Sequence, residues 1–338
     1  MAENRRPPRQ REPSLLELCD EYVRDLTART TAEHATQVER RLRFLIAQFG
    51  NRRASRLKPV DVIRVRNEMR ATGKSNGTCN GYTHHALKAM LRWAYDSGLT
   101  ASNPIHGLKR LRQSAECATF RRRPMTEAEI SRFIAAAENE DADAVRTAAS
   151  RGRRPRIPLA PMWIAFLETG ARWNELRQLT WRDVDFDRSV LTLRAENTKS
   201  RRSRSIPIRP DLLDRLRALA QLHESILVRP CELTGQVFLT PAGRPWIKSS
   251  FAAMKFFDRV LARARIPRRD ADGGRLDIHA LRHTFASRLC RAGVGLVHAQ
   301  KLLGHSDPRL TTAIYVHLNV EDLRKAIVNL PDTTDWVG

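Results

Sequence analysis

Apolar residues recur every three or four positions through most of the chain, the spacing of helices that bury one face. Leu15, Leu18, Cys19, Tyr22, Val23 and Leu26 follow Ser14-Leu15-Leu16-Glu17, a capping-box signature. A second helix is predicted from about Ala32 to Phe49, with Val38, Leu42, Leu45 and Ile46 inside and Gly50 as its stop. A third spans roughly Pro59 to Arg70, with proline in its first turn. A fourth runs from about Asn76 to Asp96, burying Leu87, Met90, Leu91, Trp93 and Ala94 and stopped by Gly98. Asn103-Pro104 then marks a turn. The pattern gives a compact four-helix domain over residues 14–112.

The period lapses between Lys109 and Pro124, a polar and basic stretch that reads as an interdomain linker centred on residues 113–124. A second domain, residues 125–338, opens with Thr126-Glu127-Ala128-Glu129, which caps a helix to Ala137. Asn139 to Pro158, acidic and then arginine-rich with two prolines, reads as an exposed loop. Leu159 to Glu168 is strongly apolar and should be a central core helix, ended by Gly170. Val184–Phe186, Val190–Leu193 and Ser205–Ile208 read as three short strands joined by turns at Asp187-Arg188 and Asn197–Arg201. Helices follow at about Asp211–Leu222, Ser249–Ala264, His279–Ala292, Leu296–Leu303 and Pro308–His317. A last one, about Val320–Leu330, has Leu323, Ile327 and Leu330 on its apolar side. The fold class is mainly α with a small antiparallel β-sheet.

Charge changes the picture most. The 338 residues carry a formal net charge of +23. Residues 1–112 hold 22 basic and 11 acidic residues, and the remainder hold 38 and 26, so both halves are basic. A polyanion that touches both halves is the simplest partner, and nucleic acid is the commonest one. Residues 1–13, with Arg5, Arg6, Arg9, Arg11 and three prolines, read as a disordered basic arm with no apolar signal segment. No apolar run approaches membrane-spanning length, so a cytoplasmic protein is expected. Cys19, Cys79, Cys117, Cys231 and Cys290 form no C-x-x-C pair, which argues for reduced thiols rather than a zinc ribbon.

Asp277-Ile278-His279-Ala280-Leu281-Arg282-His283 concentrates the candidate chemistry. On a helix, His279 and Arg282 share a face, offering one proton acceptor and one fork of donors to the same ligand. A phosphodiester under attack by a hydroxyl needs both. Lys199 is the only lysine between Lys109 and Lys248, among arginines at 201, 202 and 204. That choice suggests an ammonium that can give up a proton. Arg172 lies just past Gly170, His305 follows Gly304, and Tyr315 sits on a predicted helix. Each taken alone has a plainer reading: a helix-end charge, a hairpin charge, a capping imidazole, a turn residue or a packed phenol. His279 and His283 stand four apart like metal ligands, but the zinc-protease pattern would need glutamate where Ala280 stands, so no metal site is expected.

Together the segments TGARWNELRQL, NTKSRRSRSIPI, HALRHTFASRL and LLGHSDPRLTTAIYVH closely resemble the tyrosine recombinase (phage integrase) family. The resemblance covers about residues 14–330. It implies an α+β catalytic domain preceded by a helical core-binding domain that holds double-stranded DNA at specific recombination sites. It implies a catalytic set of Arg172, Lys199, His279, Arg282, His305 and Tyr315. Arg172, Arg282 and His305 would stabilise charge on the phosphate, Tyr315 would be the nucleophile, His279 its proton acceptor and Lys199 the donor to the leaving oxygen. Glu175 would orient Arg172. No cofactor is expected, and no P-loop pattern is present. The family works as a tetramer through a Holliday junction, with the segment after the tyrosine docking on a neighbouring subunit. That implies a homotetramer here, with or without a paralogous recombinase, associated with the nucleoid. No separate arm-binding domain is expected before Ser14. Two other readings share these residues: type IB topoisomerase-like relaxation, and a DNA-binding factor without catalysis.

Overall fold

The computed structural model describes residues 11–112, 121–153, 156–197, 202–227 and 235–315, without the side chains of 121, 226–227 and 313–315. The chain divides between Thr119 and Phe120 into two compact units.

The first unit is helical. Its helices are α1 (Leu15–Arg29), α2 (Ala32–Phe49), α3 (Pro59–Ala71), α4 (Asn76–Tyr82) and α5 (Ala89–Asp96). Ser14 caps α1 reciprocally with Glu17, as its sequence requires. The fourth predicted helix is present, but it holds a π-helical turn at Thr83–Lys88 between α4 and α5. Leu15, Leu18, Leu42, Leu45, Leu87, Met90 and Leu91 are wholly buried in one shared core.

The second unit is built on α7 (Ala160–Thr169), in which nearly every side chain is buried. Around it stand α6 (Glu127–Ser150), α9 (Pro210–Leu227) and α11 (Ile278–Arg291), with α10 (Phe251–Arg263) packed on α6. The short α8 (Trp173–Arg177) follows α7 directly, while α12 (Leu296–Leu303) and α13 (Pro308–Tyr315) close on α11. Strands β2 (Val184–Asp185), β3 (Val190–Leu193) and β4 (Arg204–Pro207) form the expected antiparallel sheet, in register Leu191 to Ile206. A two-residue parallel pair, β1 (Arg121–Arg122) with β5 (Gly274–Arg275), was not predicted.

The expected loop at 139–158 is a correction. Helix α6 continues to Ser150, and its acidic residues are held rather than solvated. Glu138 pairs with Arg215, Glu140 with Arg259 and Arg263, and Asp143 with Arg263. Asp141 accepts from the Leu159 and Ala160 amides at 2.7–2.9 Å, capping the start of α7 from another helix. Burial pushes the Asp141 carboxyl above its ordinary range, against those two backbone donors. The final predicted helix, Val320–Leu330, lies outside the described residues. Among the described residues no helix is long and apolar enough to cross a membrane.

Candidate active site

The site is assembled at the C-terminal end of α12. The last carbonyls of a helix have no partner within it and carry the negative end of the helix dipole. Here three consecutive ones are each met by an arginine from a different part of the chain. Arg204 Nε donates to Leu302 O at 3.0 Å. Arg282 Nη2 donates to Leu303 O at 2.5 Å. Arg172 Nη2 donates to Gly304 O at 3.3 Å.

Each arginine has a second anchor, which two of them share. Arg172 is the residue before α8, and its backbone amide and Nη1 both donate to Glu175, at 2.8 Å each. Arg204 begins β4 and donates through Nη1 and Nη2 to both oxygens of the same Glu175. Arg282, on α11, is 4% exposed and donates Nη1 to Gly170 O, the end of α7. Gly170 has φ 58°, and a Cβ there would lie 2.3 Å from Phe285 Cδ1, so only glycine lets the chain turn this close to α11.

Charge in this cluster is unbalanced. Glu175, bonded to Arg172 and Arg204, is the one carboxylate hydrogen-bonded to any of the three arginines among the described residues. Burial alone would raise its pKa, but Arg204 and then Arg172 outweigh burial and hold it at about 2. Burial lowers Arg282 to about 9, with Arg172 adding to the effect, which still leaves it charged at neutral pH. Three guanidiniums against one carboxylate leave an excess of positive charge that a bound anion would neutralise.

His305 comes directly after Gly304, the left-handed residue that ends α12. Its Nδ1 shares a 2.9 Å hydrogen bond with Thr311 Oγ1, a wholly buried hydroxyl on α13. That contact leaves Nε2 as the ring atom for a ligand. Burial, with Arg282 and Arg172 near, lowers His305 to about 4. His279 occupies the first turn of α11, where Asp277 caps the helix and is itself gripped by Arg122 Nε at 2.9 and 3.0 Å. Burial, then Arg122, His283 and Arg282, lowers His279 to about 4, so its imidazole is neutral at pH 7 and able to accept a proton. His283 packs edge-on against it, ring centroids 5.7 Å apart. Among the described residues no group of three or more His, Cys, Asp or Glu is placed to hold a metal ion.

Of the six residues expected from sequence, the structure brings Arg172, Arg282 and His305 together at the end of α12 and sets His279 three residues before Arg282 on α11. The backbone of Tyr315 ends α13, one turn after Thr311, while Lys199 lies outside the described residues. Glu175 holds Arg172 as expected. Sequence reading passed over Arg204 and Thr311. The signal for Arg204 was present: period-two alternation puts it on the same face of β4 as the buried Ile206.

A family profile described as "Phage integrase family" matches residues 123–322. Among similar proteins, a "Tyrosine recombinase XerC-like" protein of Caldanaerobacter subterraneus subsp. tengcongensis is 27% identical over 303 residues. That alignment covers 82% of this chain and 71% of the relative. Tyrosine recombinase XerC of Xanthomonas axonopodis pv. citri is 31% identical over 218 residues, and the match covers 64% of each chain. Among solved structures, the Tn1549 transposon integrase in complex with transposon right end DNA superposes with a TM-score of 0.68 at 21% identity. It covers 92% of this chain and 98% of that one. Lambda integrase bound as a dimer to a COC' core site gives 0.68 at 17% identity, covering 89% and 95%.

Proposed function

The chain belongs to the phage integrase family, and we propose that it is a site-specific DNA recombinase that cuts and rejoins strands through a tyrosine–DNA ester. The observation that carries this reading is the convergence of Arg172, Arg204 and Arg282 on the end of α12 beside His305, with Glu175 as their only bonded carboxylate among the described residues. Such a site favours an anion whose charge grows during reaction, as on the non-bridging oxygens of an attacked phosphodiester.

The chemistry balances without a cofactor. Tyr315 Oη attacks phosphorus and its proton passes to His279. The bond from phosphorus to the 5′-oxygen breaks, and Lys199 supplies that oxygen's proton. The product is a 3′-phosphotyrosyl ester and a free 5′-hydroxyl. Arg172 and Arg282 bind the non-bridging oxygens. His305 adds a third donor: with Thr311 donating to Nδ1, Nε2 carries the proton that faces the phosphate. Attack by a 5′-hydroxyl from a second duplex reverses the chemistry and exchanges strands, with bond energy conserved.

Lambda integrase forms a tetramer bound to a Holliday junction. A homotetramer on two duplexes, working at the nucleoid in the cytoplasm, is the corresponding assembly here, with the first unit as the core-binding domain. Plasmids carrying two copies of the DNA that flanks the gene test the reading. Recombinant joints support it, whereas relaxation without joints favours a topoisomerase and binding without strand cleavage favours a non-catalytic factor.

A further inference from the structure

Residues 108–112 have no regular secondary structure, yet their backbone is held to the first unit by six side-chain hydrogen bonds. His84 Nε2 and Lys88 Nζ meet Leu108 O at 2.9 and 3.1 Å. Arg66 Nη1 donates to Lys109 O at 3.0 Å. Asn80 accepts from Leu111 N at 3.0 Å and donates to Leu111 O at 2.9 Å. Asn76 donates to Arg112 O at 2.8 Å.

Four of these partners, Asn76, Asn80, His84 and Lys88, are spaced by four residues. In an unbroken α-helix such a row drifts around the axis by about 40° per step. The π-helical turn at Thr83–Lys88 is wider and turns the row back, which keeps it under one straight segment. The helix thus presents a ladder of side chains where a neighbouring strand would offer backbone groups.

The result is a strap with two faces. Leu108 is 7% exposed and joins the core, and Leu111 packs against it, while Lys109, Arg110 and Arg112 are exposed. None of Lys109, Arg110, Arg112, Arg66 or Lys88 has an ion-pair partner among the described residues. In the same unit Arg29, Arg43, Arg52, Arg64 and Arg92 are paired with carboxylates, while Arg24, Arg40, Arg41, Arg53, Arg56 and Arg70 have no ion-pair partner among the described residues, so it is the held backbone that sets residues 108–112 apart. Cations kept clear of carboxylates, on a backbone that cannot drift, form a prepared surface for a regularly spaced polyanion.

We propose that residues 108–112 are a pre-ordered strap whose Lys109, Arg110 and Arg112 bind the phosphate backbone of duplex DNA. It is a fixed contact of the first unit rather than the start of a loose tether. The proposal rests on the reading of the chain as a DNA-acting recombinase. Phosphate contacts fix register and orientation without reading bases, so the strap would position the first unit on any duplex.

The test is the salt dependence of full-chain binding to a fluorescein-labelled random-sequence duplex. Each phosphate contact contributes about 0.9 to the slope of log affinity against log salt. The variant Lys109→Gln/Arg110→Gln/Arg112→Gln should therefore lose about 2 to 3 from that slope at unchanged melting temperature. Arg29→Gln, at an exposed and ion-paired position, should leave the slope as it is. Asn80→Ala removes no charge. It should weaken binding about three- to tenfold by loosening the strap, and trypsin should cut sooner after Lys109 and Arg110. If the wild-type chain binds and the triple variant keeps its slope, the strap is overturned and the recombinase reading stands. If the wild-type chain does not bind duplex DNA at all, both fall together.

Discussion

Arg204 donates to both carboxylate oxygens of Glu175, at 3.2 and 2.7 Å, from a strand 29 residues further along the chain. The Glu175 side chain is wholly buried and that of Arg204 is 9% exposed. Glu175 also holds Arg172, so the β3–β4 hairpin and the Arg172 loop share one carboxylate. Removing one member of a buried pair strands the other charge, at a cost of about 3–5 kcal/mol. Arg204→Ala should lower unfolding free energy by about that much in urea titrations, and Arg204→Lys by less, since an ammonium cannot form both bonds. Equal stability of wild type and Arg204→Ala would show that the bridge carries no weight.

Thr311 offers the His305 ring its one described hydrogen bond. Thr311→Val keeps the shape of the site and removes the hydroxyl. Strand cleavage should slow about tenfold through loss of ring orientation, with DNA affinity unchanged. Quantifying cleavage in single turnover beside binding by anisotropy separates the two; a fall in affinity alone would place Thr311 outside the reaction.

Gly170 is required twice, by its positive φ and by Phe285. Gly170→Ala should cost about 2–4 kcal/mol, combining backbone strain with overpacking. It also displaces the carbonyl that anchors Arg282, so cleavage should fall further than the lost stability explains. Calorimetry with cleavage measured well below the melting point checks this, and normal cleavage by a folded variant would sink it.

Acid should destabilise the protein in two steps. His279 and His305 are lowered from 6.5 to about 4. As pH falls from 6.5, the unfolded chain takes up protons that the folded chain refuses, so stability drops until about pH 4 and then levels for these groups. Glu175, lowered from 4.5 to about 2, adds a second loss across that lower range. His279→Gln and His305→Gln should flatten the upper step in melting-temperature profiles, whereas Glu175→Gln should not. An upper step that survives the double histidine substitution would assign it to other groups.

How much of this was legible beforehand depended on whether a residue's role was local. Ser14 with Glu17 and Thr126 with Glu129 announce helix starts within four residues, and both capping boxes are present. The apolar run at Leu159–Glu168 was readable as the central helix because burial on all sides leaves no polar stripe. The second half of α6 was not readable. Glu138, Glu140, Asp141 and Asp143 look solvated in sequence, and their partners come from α7, α9 and α10. In the site, the motif arginines and histidines were visible as residue types at fixed spacing. What could not be seen is that Arg172 and Arg282, joined by Arg204, share as target a row of three carbonyls at one helix end, since backbone groups leave no trace in sequence. Lys199 and the Tyr315 side chain lie outside what the structure describes.

The most direct measurement of the central claim is trapping of a protein–DNA ester. A nicked duplex carrying the DNA that flanks the gene should yield, with the wild-type chain, a covalent adduct that resists denaturation. Peptide mapping should place it on Tyr315, joined to a 3′-phosphate. Tyr315→Phe should bind the same duplex and form no adduct. An adduct that persists in Tyr315→Phe, or a wild-type chain that binds that duplex and never becomes linked to it, would contradict the account.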